Sequence, residues 1–340
     1  MDFGVSKNFD RSYQSGRADT PLLSVVLVAC NMPDQAAWTL HSLTPGYQSG
    51  VTEQEYEVIV VENKSDNNLS AETLRSLPGN FSYHLRPETE PTPVHAVNFG
   101  ASLARGSNIC IMVDGARMLT PGVIRGILRG HSLERDTVVS VPGYHLGQQL
   151  QQDAVETGYG VERERVLLQR VNWPEEGYRL FEIACFSGSC LAGIFRPNSE
   201  SNCISVSRNI WQQLNGFDSR FTLPGGGLVN LDFYRRACET SGVQHVVLMG
   251  EGAFHQFHGG VTTGGVGQAK RELLLGQFNL QYESLRGEPF RPPQTNPVYI
   301  GELSPYVERF IRLSVEMQEG QAESKPLRPV SRLRSLSGID

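Results

Sequence analysis

The feature that most constrains this chain is a series of short, nearly continuous apolar segments, each closing on a polar turn and each followed by a helical pattern. Residues 22–30 read LLSVVLVAC. Valine-rich runs without polar alternation suit a parallel strand buried on both faces. Residues 56–61 (YEVIVV) repeat the pattern, and 81–86 and 108–113 (NICIMV) supply a third and a fourth run. Between them lie helical patterns carrying Trp38, Leu40 and Leu43, then Leu74 and Leu77, then residues 94–105. The order β-α-β-α-β-α-β predicts an α/β fold with a doubly wound, mostly parallel sheet and right-handed crossovers. The polar strand ends would form its ligand crevice.

Composition narrows the partners. Asp plus Glu number 36 against 30 Lys plus Arg, a formal net charge of -6, so no global basic field attracts nucleic acid, which is not an expected partner. Cys30, Cys110, Cys185, Cys190, Cys203 and Cys238 form no CxxC pair and read as reduced, buried thiols. The opening MDFGVSKNFD lacks the apolar stretch of a signal peptide, and no segment approaches the roughly 18 to 20 apolar residues that cross a bilayer. The expected location is the cytoplasm or the inner face of the membrane, with no transmembrane segment.

Beyond residue 131 the pattern weakens, although 138–141 read as a strand, 203–217 as a strand turning into a short helix, 228–241 as a helix and 243–249 as a late strand. The glycine-rich stretch 259–267 reads as a mobile loop able to close over a ligand. Helices are expected at 268–286 and 304–318, the latter docking on the core through Tyr306, Phe310, Leu313 and Met317. The organisation predicted is a flexible arm (1–20), a ligand-binding half (21–125), a second half (126–265), C-terminal helices (266–320) and a disordered tail (321–340).

Chemistry concentrates at the strand ends. The first run ends in Ala29-Cys30-Asn31-Met32 and the second in Val61-Glu62-Asn63-Lys64-Ser65-Asp66. A carboxylate such as Glu62 there either accepts from a base N–H or a ribose hydroxyl, or caps the next helix. A third polar end follows Asn98-Phe99-Gly100, where the fourth run closes on Asp114-Gly115-Ala116-Arg117.

This combined pattern resembles the family 2 glycosyltransferases. There a first strand ends before an Asn in a turn, a second reads roughly V-V-D-N-G-S, a helix carries R-N-x-G…A-x-G, and a fourth strand ends in D-x-D. Here the counterparts are Asn31, Val60-Val61-Glu62-Asn63-Lys64-Ser65, Val97-Asn98-Phe99-Gly100…Ala104-Arg105-Gly106, and Asp114-Gly115-Ala116. Gly216-Phe217-Asp218-Ser219-Arg220-Phe221 matches most of the family's G-G-F-D-x-x-F, extending the resemblance to about residue 260. It implies the GT-A fold, a nucleoside diphosphate sugar donor, a glycan or lipid-linked acceptor, and inversion. The donor site it implies comprises Ala29, Asn31, Glu62, Asn63 and Asn98, with Asp114, Gly115, Ala116, Arg117 and Lys270 around the phosphates and sugar.

Two positions depart from the family. Ala116 stands where its second Asp binds a divalent cation, and a methyl group cannot be a ligand. Asn230 stands in the catalytic segment where the family has an acid, which leaves Asp232, Glu251 or nothing as the base. The resemblance implies a repair through a His after the late strand: Asp114 and His258 would hold Mn2+ or Mg2+. His255 and His258 would face opposite ways in an extended stretch, so one ligand is expected rather than two. A metal-free alternative uses Arg117, Lys270, Arg271 and the loop N–H groups to neutralise the diphosphate. Trp211 and Phe221 offer either sugar-stacking faces or core packing. The rival function is a glycosyltransferase-like protein that binds a nucleotide sugar or glycan without catalysis.

Overall fold

The computed structural model describes residues 20–87, 90–261 and 267–322, with side chains to 319. The expected arm, the tail and the middle of the glycine-rich loop lie outside these residues, apart from their edges.

The first half follows the expected alternation: β1 (Leu23–Ala29), α1 (Pro33–Ser42), β2 (Tyr56–Asn63), α2 (Ala71–Ser76), β3 (Phe81–Arg86), α3 (Val94–Leu103) and β4 (Asn108–Met112). β1 is buried along its whole length. Leu23, Val25 and Leu27 enter one apolar core, while Val26 and Val28 enter the core on the other face. That double burial is why the run shows no polar alternation.

β5 (Arg117–Leu119), α4 (Val123–His131), β6 (Thr137–Ser140), β7 (Gly143–Leu146), α5 (Gln151–Ala154), α6 (Val161–Arg170) and β8 (Ala184–Phe186) come next. β9 (Ile204–Ser207), α7 (Arg208–Leu214), α8 (Val229–Cys238), β10 (Gln244–Leu248), β11 (Ala253–His255), α9 (Gln268–Arg286), β12 (Val298–Ile300) and α10 (Glu308–Ala322) complete the order. The main sheet has eight strands in the order β12-β10-β6-β9-β4-β1-β2-β3. All its pairings are parallel except those of β9 with β4 and β6. The fold is therefore α/β with a mostly parallel central sheet.

The α1 and α4 helices pack on one face and α3, α7 and α8 on the other. Strand order reverses between β1 and β4, which run parallel, the place where doubly wound sheets open a crevice. A second, four-stranded sheet, β5-β11-β7-β8, stands beside this edge around a core of Tyr144, Phe181, Phe186, Phe254 and Phe310. Phe310 is buried there with Leu313 and Met317 packed against it, so the C-terminal helical region docks on this core, whereas Tyr306, expected on the same stripe, is 36% exposed and Val307 is buried instead. Among the described residues no helix is long and apolar enough to cross a membrane.

Candidate functional site

Asp114 follows β4 by two residues, and local packing decides its direction. A Cβ on Gly115 would lie 2.8 Å from Ala29 Cβ, so only glycine lets the loop close against the end of β1. Ala116 is fully buried, its N–H donating to Asp114 Oδ1 at 3.0 Å and its carbonyl accepting from the Gln256 N–H. Position 116 thus faces the core, and Asp114 is turned out into the crevice.

The second ligand position comes from another strand. Antiparallel pairing of β5 with β11 sets Arg117 opposite His255, which carries the imidazole back to Asp114. His255 Nε2 is 3.0 Å from Asp114 Oδ2. The chain leaves β11 at that point, Gln256 turns away to donate to the Gln35 carbonyl and Thr39 Oγ1, and His258 returns to place Nε2 3.4 Å from the same oxygen. The expectation that the two imidazoles oppose each other is therefore corrected: His255 Nε2 and His258 Nε2 lie 3.0 Å apart.

Gln151 fixes the tautomer of His255. The Gln151 amide nitrogen donates to the His255 carbonyl at 2.9 Å, which orients Oε1 toward His255 Nδ1 at 2.5 Å. Nδ1 then carries the proton and Nε2 presents its lone pair, the arrangement a metal-ligating histidine needs. Burial, reinforced by the nearby Arg117 charge, brings His255 down to about 4, so it stays neutral. Burial lowers His258 too, but the Asp114 charge outweighs it and the net shift is upward. Burial opposes ionisation of Asp114, yet the charge of the neighbouring His258 holds its carboxyl well below the usual range. Asp114, His255 and His258 offer three ligand atoms within 4.8 Å of one another, so one carboxylate and two imidazoles suit a divalent cation. Arg117, itself 8% exposed, places Nε 3.6 Å from Asp114 Oδ2, and that Nε has no hydrogen-bond partner among the described residues.

Around this centre the other expected residues divide. Asn31, in a left-handed turn with φ 55°, accepts from Asn67 at 3.0 Å, so the loops after β1 and β2 are tied together at the crevice rim. Asn63, buried at the end of β2, has an Oδ1 with no partner among the described residues. Glu62 is fully buried and accepts from the Leu69 N–H at 3.1 Å and the Tyr83 hydroxyl at 2.6 Å. It braces the entry to α2, and in this conformation no oxygen is offered to a nucleoside. Asn98 is likewise consumed, both faces of its amide clasping the Phe217 backbone at 2.8 and 3.0 Å. Ala29 is buried in β1, and Lys270 is exposed on the first turn of α9 with no hydrogen bond to the Asp114 cluster among the described residues.

The residues expected as bases sit in closed environments in this conformation. Asp232 has no exposed surface and is held by Arg236 Nε at 2.8 Å and by Arg286 Nε and a terminal nitrogen at 2.6 and 2.7 Å. It locks α8 to α9, and no acceptor hydroxyl reaches it. Glu251 is buried against the Thr120 and Tyr178 hydroxyls and the Gly122 N–H. Asn230 is 6% exposed, and its Nδ2 donates to Glu200 Oε2 at 2.9 Å. Phe221 is a core residue, and Trp211 packs against Phe217 and Phe233.

No family model and no curated protein matches the chain. Among solved structures, S. aureus TarS is 12% identical with a TM-score of 0.47, over 77% of this chain and 43% of that one. This chain thus spans less than half the length of TarS. TarS 1-349 in complex with UDP-GlcNAc is 13% identical at a TM-score of 0.47, covering 77% and 66%. The mannosyltransferase PcManGT from Pyrobaculum calidifontis, in complex with GDP-Man and Mn2+, is 13% identical at 0.44, covering 94% and 79%. At these TM-scores the likenesses carry no inference about this chain.

Proposed function

We propose that the chain is a GT-A-type glycosyltransferase moving a sugar from a nucleoside diphosphate sugar to a hydroxyl of a glycan or lipid-linked acceptor, with inversion. The observation that carries the reading is the convergence of Asp114, His255 and His258 at the carboxyl edge of a parallel sheet, where its strand order reverses. Those three residues would hold Mn2+ or Mg2+, which when bound neutralises the charge of the diphosphate.

The protein's own groups do the rest. Asn63 Oδ1, buried and unpaired, is an open acceptor for a base N–H or a ribose hydroxyl. The loop of Asn31, tied to Asn67, forms the rim against which the nucleoside lies. The Arg117 guanidinium, with its Nε unpaired beside Asp114, faces the developing negative charge on the leaving group. Gln151 keeps the His255 lone pair aimed inward.

A second reading, binding without transfer, is favoured by one observation: Asp232 is sealed between two guanidiniums. The assay that separates the two readings incubates the protein with UDP-glucose, UDP-GlcNAc or GDP-mannose, p-nitrophenyl glycoside acceptors, and either Mn2+ or EDTA. Expected are nucleoside diphosphate release and a glycosylated product of opposite anomeric configuration, both suppressed by EDTA. Tight donor binding with no product across the panel would establish the second reading instead.

A further inference from the structure

Asn230, the second residue of α8, stands where the family resemblance expects a carboxylate. Its amide grips the segment ahead of β9. Nδ2 lies 2.9 Å from Glu200 Oε2, 3.2 Å from Asn202 Oδ1 and 3.3 Å from the Ser201 carbonyl. Its own Oδ1 is buried without a partner among the described residues.

Glu200 is partly exposed, forms no ion pair among the described residues, and leaves Oε1 without a hydrogen bond. In this it differs from the buried acids Asp232, Glu62, Glu164 and Glu251. Asp232 faces two arginines; Glu62, Glu164 and Glu251 each receive two or more internal hydrogen bonds. A neutral amide donor steadies a carboxylate without the full counter-charge that would strip its basicity.

Topology places Glu200 at the reacting edge. The β4–β9 ladder ends with Ile111 opposite Ile204. Asp114 lies three residues beyond Ile111 and Glu200 four residues before Ile204, so both chains run out over the same carboxyl edge. The carboxylate missing at position 230 is thus present one hydrogen bond away.

The geometry points to Glu200 as the catalytic base of the transfer, with Asn230 as the residue that positions it; this rests on the glycosyltransferase reading above. The acceptor hydroxyl gives its proton to the Glu200 carboxylate as its oxygen bonds to the anomeric carbon. The bond from that carbon to the diphosphate oxygen breaks, and its electron pair leaves with the nucleoside diphosphate. Charge and atoms balance without a further reactant.

The test compares the unaltered protein with Glu200→Gln, Asn230→Ala and the double variant Glu200→Gln/Asn230→Asp, using the donors and acceptors of the panel above with Mn2+. Glu200→Gln is expected to lower kcat about 10³-fold, within the range for loss of a general base, while its melting temperature and its stabilisation by UDP-GlcNAc with Mn2+ stay unchanged. Asn230→Ala, which removes the donor that aims the base, lowers kcat by about 10²-fold while leaving the KM for the donor unchanged. The double variant restores a carboxylate one hydrogen bond away and regains part of the rate. Transfer by Glu200→Gln at the unaltered rate overturns the base assignment, and an unchanged kcat in Asn230→Ala overturns the positioning role. A lack of transfer by the unaltered protein overturns the glycosyltransferase reading and this assignment together, so the failures are distinguishable.

Discussion

At Asp232 a buried carboxylate with two guanidinium partners sets a large stability consequence. Asp232→Ala removes the fully buried anion shared by Arg236 and Arg286, which are themselves 25% and 18% exposed, and Arg286 keeps Asp218, so the expected loss is about 1–3 kcal/mol. Urea unfolding measures this directly, and a loss below about 1 kcal/mol would contradict the locking role. The sequence shows Asp232 only as an acid near a helix start; its partner Arg286 lies 54 residues away, and nothing in local spacing announces the pair. His255 was hidden for a related reason. Two histidines three apart face alike or oppositely according to backbone direction, and here the chain stops being a strand at the first of them. Glu200 offers no motif at all, since its environment is made by an amide 30 residues further on.

At the scale of elements, the close approach of α3 to the sheet depends on Gly100. A Cβ there would fall 3.0 Å from Val61 Cγ2 and closer still to Val26 Cγ1. Gly100→Ala forces the helix off β1 and β2 and is expected to destabilise by about 1–3 kcal/mol, read from the shift of the denaturation midpoint at constant slope. An unchanged midpoint would mean the helix has room to spare. β3, a half-buried edge strand reading FSYHLR, followed from the alternation of elements, whereas β1, β2 and β4 were legible because burial on both faces writes a nearly uninterrupted apolar run. β5, β7, β8 and β11 were not, because elements of three or four residues are too short to establish a period. Those short strands form the second sheet, and they carry His255 into the site. The part of the crevice built by local sequence was therefore readable, and the part built by strand pairing was not.

For the whole molecule, acid sensitivity follows from histidines buried neutral away from the candidate metal centre. His131, beside Ser205, and His245, among Ser140, Tyr234 and Thr295, are each lowered by burial from 6.5 to about 4. Between these values the unfolded chain binds protons that the folded chain does not, so stability falls as pH drops from 6.5 toward 4, by up to about 3 kcal/mol per residue. His131→Gln with His245→Gln should flatten the dependence of melting temperature on pH in that window; an unchanged slope would place the acid sensitivity elsewhere. The account as a whole stands on the centre made by Asp114, His255 and His258. Its most direct test is the melting shift produced by UDP-GlcNAc or GDP-mannose with and without Mn2+, in the unaltered protein and in Asp114→Asn. The account predicts stabilisation of about 2.7 kcal/mol at a nucleotide sugar concentration one hundred times Kd, requiring both sugar nucleotide and cation and lost in Asp114→Asn. A shift of equal size in EDTA, or one that survives in Asp114→Asn, would contradict it.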